Sequence, residues 1–131
     1  MRVLLPILLL AGCVAPTSGS LGIGPFESEA DYRQQREAAT ESLDAAITPA
    51  TASSATACRV VPTSEQACGG PTTFAIYSRE SPNATEIEWL AARLVALDTA
   101  ANRQFEYIST CAAYTPPTPV LRDGVCVSSR E

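Results

Sequence analysis

The sequence has no histidine and no lysine; its nine basic residues are all arginine. Histidine is the side chain that most readily exchanges a proton near neutral pH, and it is the commonest nitrogen ligand for metals. Without it, neither a Ser-His-Asp nor a Cys-His arrangement can be assembled. Glu86 and Glu88 could pair as acid and base only if they faced each other, but at i, i+2 on a helix they point apart. The chain is therefore expected not to be an enzyme and to need no metal or cofactor. Aromatic residues make up only 6%, and alanine supplies much of the hydrophobic content, so 131 residues can bury one small core. The arginines are scattered and the net charge is −5, which excludes the clustered basic footprint of a nucleic-acid binder.

What is present begins with a leader. Arg2 gives a positive start, and "VLLPILLLA" follows, an apolar run suited to a signal peptide and too short to span a bilayer. The run ends at Leu10-Ala11-Gly12-Cys13. This order resembles the lipobox of bacterial lipoproteins. The resemblance implies removal of residues 1–12, acylation of Cys13 by palmitate-type chains, and a membrane anchor at the new N-terminus. The alternative is an ordinary signal peptide cut elsewhere, leaving Cys13 free. Several acyl chains hold far more firmly than a single one. Val14 stands where enteric bacteria use aspartate to retain lipoproteins at the inner membrane, so the resemblance points to the bacterial cell envelope and to its outer membrane.

Setting Cys13 aside leaves Cys58, Cys68, Cys111 and Cys126, an even set in an exported chain, which reads as two disulfides. The intervening gaps of nine, forty-two and fourteen residues do not suit a zinc cluster, whose ligands come in closely spaced pairs. Three connectivities are possible. Cys58 with Cys68 and Cys111 with Cys126 is favoured, because each pair brackets a proline-containing loop. In the chain-entropy view a loop of about fifteen residues closed in this way contributes about 3 kcal/mol.

Composition divides the rest. Val14 to Pro25 reads as a flexible tether. Glu27 to Ile47 is helix-prone, with Ser28 and Asp31 as a capping signal and a thin stripe of Tyr32, Ala39, Leu43 and Ala46 or Ile47; it either docks or frays. Thr48 to Ala57 reads as a second linker. Residues 13–57 thus form the lipidated tether with its helix-prone segment, and 58–131 the folded domain. There, Gly69 and Gly70 of "CGGP" give a turn, with a backbone anion nest as the lesser reading, and "TTFAIYS" alternates as a half-buried strand does. From about Asn83 to Glu106, Ile87, Leu90, Ala91, Leu94, Leu97, Ala101 and Phe105 share one helical stripe. Asp98 interrupts that stripe and is expected at its rim or bonded to a loop amide. Trp89 lies on the opposite side, expected under the earlier helix, with an exposed partner anchor as the alternative. An arm carrying Tyr114, Pro116 and Pro117 leads into a hairpin turning at Asp123-Gly124.

The set of Cys58, "CGGP" at 68–71, "YS" at 77–78, Cys111, "PP" at 116–117 and "DGVC" at 123–126 resembles small cysteine-containing bacterial lipoproteins, although Thr72 stands where an aromatic often follows their CGGP. That resemblance implies a domain and no activity. The expected fold is α+β: a small disulfide-stapled domain in which one long amphipathic helix packs on a short antiparallel sheet, preceded by a helix-prone tether. The expected function is a membrane-anchored binding or structural module with an envelope protein as partner, contacted through Trp89, Tyr114, Pro116 and Pro117. The alternative is an inhibitor of a protease or lysozyme acting through a disulfide-closed loop, "RVVPTSEQA" first and "YTPPTP" second.

Overall fold

The computed structural model describes residue 21 and residues 23–130; the leader and Cys13 lie outside them. The architecture is α+β, with the long helix on a short sheet. The first helix, α1, spans Glu29–Ile47. Its cap is the one legible in sequence: the Ser28 hydroxyl accepts the Asp31 amide at 3.1 Å, and Asp31 in turn accepts the Glu27 amide at 3.0 Å. Glu29 and Asp31 also place negative charge at the positive end of the helix dipole. A second helix, α2, spans Ala84–Gln104 and buries Ile87, Leu90, Ala91, Leu94, Leu97, Asp98 and Ala101. All but Asp98 were expected in its apolar stripe.

Strands β1 (Cys58–Pro62) and β2 (Phe74–Ser78) pair antiparallel, with Val60 opposite Ile76 and Val61 opposite Ala75. Alternation sends Ala75, Tyr77 and Val61 to the helices, into a core with Phe26, Ala39, Leu43, Ile87, Leu90, Leu94, Leu97 and Ala101. Ile76 and Cys58 go to the opposite face. There they meet a hairpin of β3 (Pro119–Arg122) and β4 (Val125–Ser128), in a smaller cluster with Ala50, Leu121 and Cys126. The strand read as half-buried is thus covered on both faces. The hairpin turns at Asp123 (φ 52°) and Gly124 (φ 76°), a two-residue loop with both residues in the left-handed region, as that dipeptide requires.

Three expectations are corrected. The disulfides join Cys58 to Cys126 and Cys68 to Cys111, not near neighbours in the chain. Cys58 and Val60, read as the start of a loop, are in a strand. That places Cys58 against β4, which neither Cys68 nor Cys111 can reach. Nor is the folded unit confined to residues 58–131. Phe26, Ala39 and Leu43 share one core with Leu94 and Tyr77, so α1 docks. Finally, Thr48 to Ala57 is no free linker. The Cys126 amide donates to the Ala50 carbonyl at 2.9 Å, the Ala52 amide to that of Gly124 at 3.0 Å, and Ala50 and Ala57 are buried. Small side chains let this backbone lie against β4, and small side chains are also what make a segment look like a linker.

Candidate partner-binding surface

Asp98 is where the three layers of sequence meet. It is buried on α2, and its two carboxylate oxygens take four donors: the Tyr32 hydroxyl at 2.8 Å, Arg36 Nε at 2.8 Å, Arg36 Nη2 at 3.4 Å, and the Glu65 amide at 3.1 Å. A buried carboxylate is tolerable only when so supplied. The loop-amide reading of Asp98 is met by Glu65; the α1 partners were not foreseen. Tyr32 and Arg36 are one turn apart on α1, so a phenol and a guanidinium reach the same acceptor. Burial, followed by the bond to Asp98, pushes the Tyr32 hydroxyl up to about 12. The same carboxylate raises Arg36 above its already high value. Every group in this cluster is satisfied by another, so it acts as a lock between helices and loop.

The lock fixes the β1–β2 loop, residues 63–73. Ser64 Oγ accepts the amides of Thr72 and Thr73, both at 2.9 Å, and the Asn102 side chain on α2 donates to the Glu65 carbonyl at 2.8 Å. Gly69 and Gly70 have φ near 90°, where a β-carbon would be strained. The Gly70 amide is taken by the loop's own Glu65 carboxylate at 2.8 Å, so that carboxylate occupies the position an external anion would have.

The arm after α2 is fixed to this loop. Cys68 bonds covalently to Cys111, the Cys68 amide donates to Ser109 Oγ at 3.1 Å, and Gln66 Nε2 donates to the Ala112 carbonyl at 2.7 Å. Cys111 itself has φ 56°, so the chain turns sharply where it is clamped. Beyond the clamp little is covered. Ile108 is 96% exposed, Tyr114 is half-exposed and Pro116 is exposed, while Pro117 is partly buried. Among the described residues, no backbone–backbone hydrogen bond runs to residues 108–117. Ile108 was missed in sequence. Its signal was its place beyond Phe105 and Tyr107, whose tilted rings, 5.6 Å apart at their centroids, end the core, leaving the next apolar residue nothing to pack on.

Trp89 lies apart from the arm, near the other end of α2. It is 49% exposed, with the Arg93 guanidinium 5.6 Å from its ring centroid. Beside it a shallow groove between the helices is lined by Gln35, Ala38, Ser42 and Leu90. The expected cover by α1 is thus only partial, because the α1 residues beside the indole are small. The structure therefore brings the four cysteines together in two pairs and places Tyr114, Pro116 and Pro117 on one arm, with Trp89 on a separate surface. The chain matches no family model, and it has no match among curated proteins or solved structures.

Proposed function

We propose that this chain is a lipoprotein of the bacterial cell envelope, acylated at Cys13 and held at the outer membrane, whose head binds another envelope protein through the arm of residues 108–117. The observation that carries the binding role is the arm itself. The connection from α2 to β3 that carries it, residues 105–118, is of the length at which loops without secondary structure become uncommon in compact domains and usually have a task. Here its root is clamped by a disulfide and two hydrogen bonds, while Ile108, Tyr114 and Pro116 stay in solvent. Preorganisation of this kind lowers the ordering cost of association. Beyond Ala112, whose carbonyl Gln66 takes, the arm makes no backbone–backbone hydrogen bond among the described residues, so its carbonyls and its non-proline amides are open to an extended partner segment. The leader and lipobox supply the anchor in this reading.

Two measurements test it. Palmitate labelling in a bacterial host, lost in Cys13→Ala, tests the anchor. A photo-crosslinking residue placed at 114 in living cells should join the head to one envelope protein, and one placed on the outer side of α1 at Glu41 should not. Equal yields from both sites would remove the arm from the proposal.

The same clamp gives the inhibitor reading a specific form. The loop of residues 63–73 is not closed by Cys58 and Cys68, so the arm takes over as the segment that would enter a cleft, with Ile108 at its most exposed point. Titration against a panel of proteases and lysozymes, with and without reductant, separates the readings. Stoichiometric inhibition lost on reduction favours the inhibitor, and its absence favours the binding module.

A further inference from the structure

The seven residues between Cys13 and Leu21 limit how far the head can stand from its anchor, and the place where the chain joins the head decides which face is turned to the lipid. The Leu21 carbonyl accepts from Arg93 Nη1 on α2 at 3.3 Å. Five residues later, the Phe26 amide and carbonyl pair with the side-chain amide of Gln104, at 2.8 and 2.7 Å. The entering segment therefore runs along the outer side of α2 from Arg93 to Gln104, roughly 16 Å of helix. That is about what five extended residue steps span. Leu21 and Ile23 line a shallow groove there with Ala92, Val95, Ala96 and Arg103.

Resting on the lipidation of Cys13 proposed above, we infer that this side of α2, with Trp89, Arg93 and Arg103, docks on the anionic phospholipid surface of the membrane that holds the anchor. Eight residue steps from Cys13 to Leu21 reach at most about 28 Å. A domain of about 108 residues has a radius of gyration near 13 Å, which for a sphere means a diameter of about 34 Å, so even the full reach is shorter than the head is wide. The side where the chain enters stays nearest the bilayer.

The chemistry of that side suits the position. Trp89 is half-exposed and is the only tryptophan of the chain, and an indole settles at headgroup depth because it has an apolar body and a polar edge. Arg93 lies against its ring. Among the described residues neither Arg93 nor Arg103 forms an ion pair with a carboxylate, so both guanidiniums can meet lipid phosphates. Ala92 and Ala96 between them are small enough for close approach. On α2, Glu86 lies one turn before Trp89, and Glu88, next to Trp89 in the chain, is engaged by the Tyr77 hydroxyl. By contrast, α1 exposes Glu29, Glu37, Glu41 and Asp44, which an anionic surface would repel.

The single indole makes the test direct. The full mature protein, purified from bacterial membranes, is placed in vesicles of phosphatidylethanolamine and phosphatidylglycerol, some carrying lipids brominated near the headgroup. Docking shifts Trp89 emission to shorter wavelength and lets the brominated lipid quench it. Arg93→Gln with Arg103→Gln lowers the docked-to-undocked ratio by roughly fivefold for each charge removed, and added salt acts in the same direction. Mass spectrometry of the same sample separates the two levels of the proposal. Protein without acyl chains overturns the anchor. Acylated protein that floats with the vesicles while Trp89 stays unquenched overturns the docking alone. A blue-shifted emission already present without vesicles means that residues 14–20 or a second copy cover the indole, which also overturns it; dependence on protein concentration tells those two apart.

Discussion

The two disulfides span similar lengths of chain, 68 and 43 residues, and do different work. Cys58–Cys126 is buried between the sheet and the hairpin, where its sulfurs pack with Ile76, Leu121 and Ala50. Cys68–Cys111 is exposed at the root of the arm and belongs to neither hydrophobic cluster. In the chain-entropy view each contributes roughly 4 kcal/mol. The first also fills the small core that holds the hairpin, while the second sets the shape of a surface. The same contrast recurs in the two ion pairs of α1: Arg36–Asp98 is largely buried with further hydrogen bonds, whereas Arg33–Glu29 is exposed at 3.4 Å. Placement, more than bond type, decides what each link does.

The largest expected effect follows from removing the inner bridge. Cys58→Ser with Cys126→Ser should cost at least about 4 kcal/mol in urea unfolding, because the loop entropy is lost and the hairpin cluster loses its centre. Cys68→Ser with Cys111→Ser should cost no more than about 4 kcal/mol and should leave the helical circular dichroism unchanged. Graded reduction should accordingly alkylate Cys68 and Cys111 first. Simultaneous alkylation of all four cysteines would erase the distinction between the bridges.

Asp98→Ala comes next. It leaves Arg36 without its carboxylate and strands the Tyr32 hydroxyl and the Glu65 amide, an expected loss of about 3 kcal/mol, the low end for a broken buried pair because Arg36 keeps some access to solvent. A loss below 1 kcal/mol, about that of an ordinary surface change, would mean that the lock does not hold the helices together.

Alkali should act more gently. Tyr32 and Tyr77 are both pushed up to about 12, chiefly by burial and then by their bonds to Asp98 and Glu88. A tyrosine whose pKa is raised on folding stabilises the protein fully below its unfolded value of about 10, and that stability is lost as pH rises towards about 12. Thermal unfolding should therefore show no tyrosine-linked change below about pH 10 and a decline above it. Tyr32→Phe should reduce that decline. The smallest effect belongs to the exposed pair: Arg33→Ala should change stability by no more than about 0.5 kcal/mol.

Parts of this architecture were legible residue by residue. The stripe from Ile87 to Phe105 named the core helix because its period is that of a helix. Asp123-Gly124 named the hairpin because few dipeptides adopt its backbone angles. Ser28 and Asp31 named the start of α1. The misreadings share a cause. "RVVP" is too short to show a period, the alanines of residues 50–57 look alike in a linker and in a tight contact, and Asp98 lies more than sixty residues from Tyr32 and Arg36. Asp98 and Arg36 did carry a joint signal: each is a charged residue at or beside an apolar stripe, of opposite sign, on two helices that had to pack somewhere.

By itself, the amino-acid order determined the class of fold, the two helices, one tight turn, the even set of downstream cysteines and the lack of any histidine or lysine chemistry. These depend on local backbone preference and composition, which act within a few residues. Only the tertiary structure decided which cysteine meets which, that α1 belongs to the core, and that Asp98 has four donors. Those outcomes depend on which distant surfaces bury the most apolar area together, and no local stretch of chain encodes that distance.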